Sequence, residues 1–166
     1  MMNEKAAIFD LDGVVVDTAR FHYQAWRELA QRLGFDFTPA DNERLKGVSR
    51  MESLDILFSI GHIRADEAQR EVWAAQKNAR YGEMLRTLGE KDVLPGVRDF
   101  LAALRRADVR TALGSASKNA PFILRQIGLA DAFDAVVDGN TVSRAKPDPE
   151  VFLQAAKKLG TSPTDC

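Results

Sequence analysis

Apolar and polar positions divide the chain into three stretches with different periods. The first, Lys5-Ala6-Ala7-Ile8-Phe9, is a short apolar run that stops at Asp10-Leu11-Asp12-Gly13. Its length and glycine-bearing exit predict a buried strand. From Thr18 to about residue 88 the period becomes helical. Thr18 is placed to cap a helix running to about Leu33. Phe21, Ala25, Leu29 and Leu33 form its stripe, with Trp26 and Ala30 beside it and Gly34 as the stop. Thr38-Pro39 marks a second helix start. Ser49 and Glu52 have capping-box spacing ahead of Leu54, Leu57, Phe58 and Ile60, and Gly61 ends that helix. A long helix is expected from about 65 to 88, its small and apolar positions (Ala68, Val72, Ala75, Ala79) set among Arg70, Glu71, Lys77 and Arg80.

The third stretch alternates. Leu94-Pro95-Gly96 leads a helix with Val97, Phe100, Leu101 and Leu104 turned inward. Val109 to Leu113 reads as a strand ending in Gly114-Ser115, and Asn119-Ala120-Pro121 starts a helix that ends at Gly128. Asp134 to Asp138 is a short strand; Asp148-Pro149 starts a last helix through about Leu159, stopped by Gly160. Alternating strands and helices imply a parallel sheet. The expected fold is α/β: a doubly wound, Rossmann-like core from residues 1–15 and 89–166, with a helical cap inserted over 16–88. Internal repeats and low-complexity segments are absent from the sequence.

Composition narrows the class. The 166 residues are 45% apolar and 28% charged, as in a globular protein. Lys and Arg number 23 against 24 Asp and Glu, a net charge of −1 that gives no reason to expect nucleic acid or a membrane surface as partner. The one cysteine, Cys166, allows no intrachain disulfide. No apolar run approaches the roughly 18 residues of a membrane span, and Met1-Met2-Asn3-Glu4-Lys5 leads into a strand rather than a signal sequence. A reduced, soluble, cytoplasmic protein is the expectation.

The chemistry concentrates where the first strand ends. Asp10 and Asp12 stand two residues apart just past its C-terminal end, the position where open α/β sheets place their ligands. Two such carboxylates can divide labour between nucleophile and acid/base, and their hard oxygens suit Mg²⁺ shared with a substrate phosphate. Taken alone, Asp-x-Asp-Gly is equally a plain surface turn. An EF-hand loop is disfavoured, because Leu11 and Val14 to Val16 interrupt the acidic alternation.

Asp10-Leu11-Asp12-Gly13-Val14, with Asp17-Thr18 behind it, resembles the first signature of the haloacid dehalogenase-like superfamily of phosphotransferases. Ser115 after the second strand resembles the second signature, and Lys146 in Ala145-Lys146-Pro147-Asp148-Pro149 the third. The resemblance implies that Asp10 attacks phosphorus to form an aspartyl-phosphate, and that Asp12 is the general acid and base. It also implies that both hold Mg²⁺ and that Ser115, Ala116 and Lys146 bind the transferring phosphate.

Within the superfamily the insert is similar to that of the β-phosphoglucomutase group. Leu45-Lys46-Gly47-Val48-Ser49-Arg50 is a basic, glycine-bearing loop before a helix, a setting suited to anions. The similarity implies interconversion of β-glucose 1-phosphate and glucose 6-phosphate through a bisphosphate, which needs a second phosphate site. Arg50 would hold that distal phosphate, assisted by Lys118, Asn119 and Ser117. Lys46, Gly47, Val48, Trp26, Ser53 and Lys77 match positions lining the sugar site or cap, and His22 and Thr18 match hinge positions. Trp26 on its apolar stripe fits a core role as well, and Lys77 on a polar face fits a solvated one. The implied partner is a small-molecule sugar phosphate, with a monomer expected at full length.

The resemblance also leads to an expected gap. The family's fourth motif, an acidic pair on a following strand, has no counterpart after Lys146: Asp148 and Glu150 open a helix and Asp165 lies in a trailing loop. The sequence thus predicts a core without its last strands, and weak or absent turnover from these 166 residues alone. Two other readings stay open. One is a phosphatase of small sugar phosphates or phosphoglycolate, which needs only one phosphate site. The other is an inactive fragment that acts by binding through an exposed sheet edge.

Overall fold

The computed structural model describes residues 5–46, 48–144 and 146–166. The chain divides into two compact units, Met1–Asp17 with Leu88–Cys166, and Thr18–Thr87. The first holds strands β1 (Ala6–Phe9), β2 (Arg110–Gly114) and β3 (Ala135–Val137), and three of the helices: α5 (Val97–Arg106), α6 (Ala120–Gln126) and α7 (Glu150–Leu159). The second is helical: α1 (Ala19–Arg32), α2 (Pro39–Glu43), α3 (Arg50–Gly61) and α4 (Glu67–Leu85).

The strands run parallel in the order β1-β2-β3, with Phe9 opposite Leu113 and Leu113 opposite Val136. Alternation along β1 sends Ile8 and Phe9 to opposite faces. On the Ile8 side, Ala6, Ala112 and Val137 pack with Val151, Ala155 and Leu159 of α7. On the other, Phe9 meets Phe100 of α5 and Phe133 edge to face, each at 5.8 Å. The sheet is therefore covered on both faces, the doubly wound arrangement expected. Arg110, on the α7 side, bonds to Leu159 O and, at 3.1 Å, to Thr161 Oγ1, tying the end of α7 to the sheet.

The helical unit has its own core, formed by Trp26, Leu29, Phe37, Leu54, Leu57 and Phe58 among others. Three of its helices begin with reciprocal capping boxes. Thr38 and Asp41, Ser49 and Glu52, and Asp66 and Gln69 each exchange side-chain and backbone bonds. Thr18 departs from expectation. It occupies the N-cap position of α1 but makes no capping bond, because its backbone is helical (φ −98°, ψ −9°) and its side chain is fully buried. A capping hydroxyl needs an extended backbone to reach the N–H groups of the first turn. Phe100 also departs: it is 52% exposed. Among the described residues β1 is an outer strand of the sheet, and the Phe100 ring packed on Phe9 has neighbours from one side only. No helix among the described residues is long and apolar enough to cross a membrane.

Candidate active site

Parallel register brings the chemistry to one end of the sheet. Phe9 pairs with Leu113, so Asp10 and Ser115 leave neighbouring strands within one residue of each other. Past β1 the chain folds back on itself. Gly13 N–H donates to Val16 O (2.8 Å), and the Val15 and Val16 N–H groups donate to Leu11 O. The valines at 15 and 16 are fully buried, which anchors a loop whose acidic residues Asp10 and Asp12 stay partly accessible. Asp10 Oδ1 accepts from Leu11 N–H at 2.8 Å and from the Lys146 ammonium at 2.7 Å. Asp10 and Lys146, some 136 residues apart in sequence, thus form an ion pair with side chains 36% and 25% exposed.

Lys146 is held from two sides. Its ammonium lies 4.9 Å from the centre of the Phe152 ring on α7. The loop before it is gathered by Glu150, whose carboxylate accepts from the Ser143 N–H and hydroxyl and from Arg144 N–H (2.8 Å). The Ser143 N–H is the leading cause that keeps the Glu150 carboxyl below the usual carboxylate range. Arg144 closes the network on Asp148 at 2.9 Å.

Ser115 is 1% exposed. Its N–H continues the ladder to Val137 O (3.0 Å), and its hydroxyl accepts from Ser117 N–H (3.1 Å). Ser117 repeats the pattern by accepting from Asn119 N–H (3.2 Å). Ala116 and Lys118 are exposed between them. Asp10, Asp12, Ser115, Ala116, Ser117, Lys118, Asn119 and Lys146 thus all belong to the sheet unit, at or next to the strand ends.

The remaining candidates lie in the helical unit. Lys46 is exposed and paired with Glu43 (2.7 Å), Val48 is exposed, Arg50 opens α3 and is exposed, and Ser53 is buried. Gly47 lies outside the described residues. Trp26 and Lys77 are almost fully buried, at 3% and 2% exposure. The solvated alternative for Lys77 is therefore wrong. The Lys77 ammonium lies 4.6 Å from the centre of the Trp26 ring, 5.0 Å from that of Tyr81, and 3.0 Å from His22 Nδ1, while the His22 ring stacks on Tyr81 at 3.9 Å. A charged Lys77 ammonium only donates, so it pairs with the His22 ring through an unprotonated Nδ1.

Burial first, then the Lys77 and Arg50 charges, push the His22 pKa from 6.5 down to about 3. This gives a signed expectation. Above pH 6.5 the ring is neutral folded or unfolded; below it the unfolded chain binds a proton that the folded one refuses, so stability falls as pH drops towards 3. The unfolding free energy of the wild type from urea titrations should therefore fall faster than that of His22→Asn between pH 7 and pH 4, by at most about 1.4 kcal/mol per pH unit. Parallel curves would contradict the buried neutral ring.

Tyr81, one helical turn past Lys77 on α4, escapes sequence reading although i,i+4 spacing puts the two side by side. Gly139 and Asn140 escape it too, because their contacts cross to a loop 22 residues earlier, and Glu150 escapes it because its bonds to Ser143 and Arg144 follow no regular helical or strand spacing.

The chain matches known proteins along nearly its whole length. The family model for haloacid dehalogenase-like hydrolases matches residues 4–166. β-Phosphoglucomutase of Bacillus subtilis is 42% identical over 164 residues, which are 98% of this chain and 73% of that protein. A phosphorylated carbohydrates phosphatase of Thermotoga maritima is 30% identical over 163 residues, 96% of this chain and 72% of that one. In three dimensions, the crystal structure of β-phosphoglucomutase from Clostridium difficile superposes with a TM-score of 0.89 at 41% identity, covering 98% of this chain and 74% of that one.

Proposed function

The chain belongs to the haloacid dehalogenase-like hydrolase family of enzymes, and we propose that it moves a phosphoryl group between the two ends of a hexose phosphate, β-glucose 1-phosphate to glucose 6-phosphate. The observation that carries the phosphoryl chemistry is the 2.7 Å pair of Lys146 and Asp10 beside the buried Ser115. Relatives at 42% and 41% identity that carry the mutase name favour isomerisation over hydrolysis.

Among the described residues both partners of Asp10 sit on Oδ1. Oδ2 is the oxygen available to attack phosphorus. The phosphorylated Asp10 donates first: Asp12 takes the proton of the accepting sugar hydroxyl, which attacks phosphorus as the bond to Oδ2 breaks and the bisphosphate forms. In the second half Oδ2 attacks the phosphoryl group at the other end of the sugar as its bond to the sugar oxygen breaks, and Asp12 gives that leaving oxygen its proton. Lys146 offsets charge on the transferring oxygens, and positioning plus such neutralisation is most of what phosphoryl transfer asks of a protein.

Asp10 and Asp12 also fit a divalent cation. They offer hard oxygen donors, partly exposed, in one loop, and no cluster of three or more metal-binding side chains occurs among the described residues. That donor set suits Mg²⁺, which commonly binds through one or two carboxylates together with substrate phosphate. When bound, Mg²⁺ supplies further charge neutralisation at the phosphoryl oxygens.

The mutase reading needs a second phosphate-binding group of residues; the candidates are Lys118, Asn119 and Ser117 in the sheet unit and, in the helical unit by itself, Arg50. The test is Arg50→Ala. Loss of a charged hydrogen-bonding partner should cut glucose 6-phosphate formation about ten- to hundredfold while leaving phosphoryl uptake at Asp10 within about twofold. An equal fall in both would contradict the distal role, and free phosphate as the main product would favour a phosphatase.

A further inference from the structure

The loop after β3 is bonded to the Ser115–Asn119 loop at consecutive residues. Gly139 N–H donates to Ser117 O (3.1 Å) and Asn140 Nδ2 donates to Lys118 O (3.2 Å). Between them the two backbones nearly touch. A Cβ at Gly139 would lie 2.2 Å from Ala116 O and 2.8 Å from Lys118 N, so only glycine permits this approach. Asn140 is itself fixed: its N–H donates to Asp138 Oδ1 (2.8 Å), and Thr141 Oγ1 donates to Asp138 O (2.9 Å).

The consequence follows from peptide geometry. In a planar trans peptide, N–H and C=O point in opposite directions. Holding Ser117 O on Gly139 turns the Lys118 N–H away from the β3 loop, and holding Lys118 O on Asn140 fixes the Lys118–Asn119 peptide, whose N–H already bonds to Ser117 Oγ. Lys118 and Asn119, two of the side chains assigned to the distal phosphate, hang from this clamped segment. Ser115 has its own support in the strand ladder to Val137, and its hydroxyl meets this segment at the Ser117 N–H (3.1 Å), one peptide ahead of those that Gly139 and Asn140 hold.

We propose that Gly139 and Asn140 are positioning residues for the second phosphate of a sugar bisphosphate, setting the Lys118–Asn119 segment without contributing to the transferring phosphate at Asp10. The proposal rests on the two-phosphate reading above.

The test compares two ligands by titration calorimetry on the full 166-residue chain with Mg²⁺: inorganic phosphate, which needs one site, and glucose 1,6-bisphosphate, which needs both. Asn140→Ala should raise Kd for the bisphosphate about three- to tenfold, the worth of one ordinary hydrogen bond, and leave Kd for inorganic phosphate within about twofold. Asn140→Gln, which keeps the amide donor, should recover part of the loss. A general structural role would weaken both ligands together and would not respond to Gln. An equal weakening of both, or an unchanged bisphosphate Kd in Asn140→Ala, would overturn the proposal while the wild type still prefers the bisphosphate. A wild type with no preference for the bisphosphate would overturn the two-phosphate reading, and this proposal with it.

Discussion

Asp10→Asn should lower phosphoryl transfer by about 10⁴-fold or more, the scale of loss when a covalent nucleophile is removed. The substitution keeps the shape of the side chain, and an amide oxygen can still accept the Leu11 N–H that Asp10 Oδ1 holds at 2.8 Å. Asp10 is partly exposed and belongs to no apolar cluster, so the fold should survive. What disappears is a carboxylate oxygen able to bond to phosphorus and leave again. A stopped assay with unchanged thermal unfolding is the expected pair of results. Transfer within tenfold of the wild type would mean that another group accepts the phosphoryl, or that water attacks directly.

Lys146→Met should cost about 10² to 10³-fold in phosphoryl transfer, the scale for removing one preorganised stabilising group. Methionine approximates the length of the stem over Phe152, so the loss reports the ammonium rather than packing. The ion pair should contribute little to folding, because both side chains are a quarter or more exposed and surface pairs are screened. Kinetics and urea unfolding on the same variant separate these effects. A drop in stability with little change in rate would make Lys146 a structural residue.

The features legible in the sequence were those set by local rules. Strand exits at Asp10 and Ser115, the Ser49–Glu52 box and the Thr38-Pro39 start each depend on residues within one turn, and the structure reproduces them. Where tertiary packing decides, local rules say less. Gly61-His62 reads as a helix end and α3 does end at Gly61, but it is His62 and not the glycine that takes the left-handed position (φ 52°). A Cβ at Gly61 would fall 2.4 Å from a carbon of the Phe35 ring, so that glycine serves helix packing instead. Lys77 lies among polar neighbours in sequence, but α4 turns it onto Trp26, Tyr81 and His22. The pairing of Lys146 with Asp10 could be expected only through family resemblance, since nothing within either loop encodes the other. The clamp from Gly139 and Asn140 has no local signature; it arises because β2 and β3 are neighbours in register.

The claim on which the rest depends is that Asp10 carries the phosphoryl group between donor and acceptor. The direct measurement is to treat the chain with Mg²⁺ and a small acyl phosphate, quench, reduce with borohydride and map the peptides by mass spectrometry. Reduction turns an acyl phosphate on aspartate into homoserine, and the account predicts that product at position 10 alone. Conversion at a different carboxylate, or none while phosphoryl transfer to sugar or water proceeds, would contradict it.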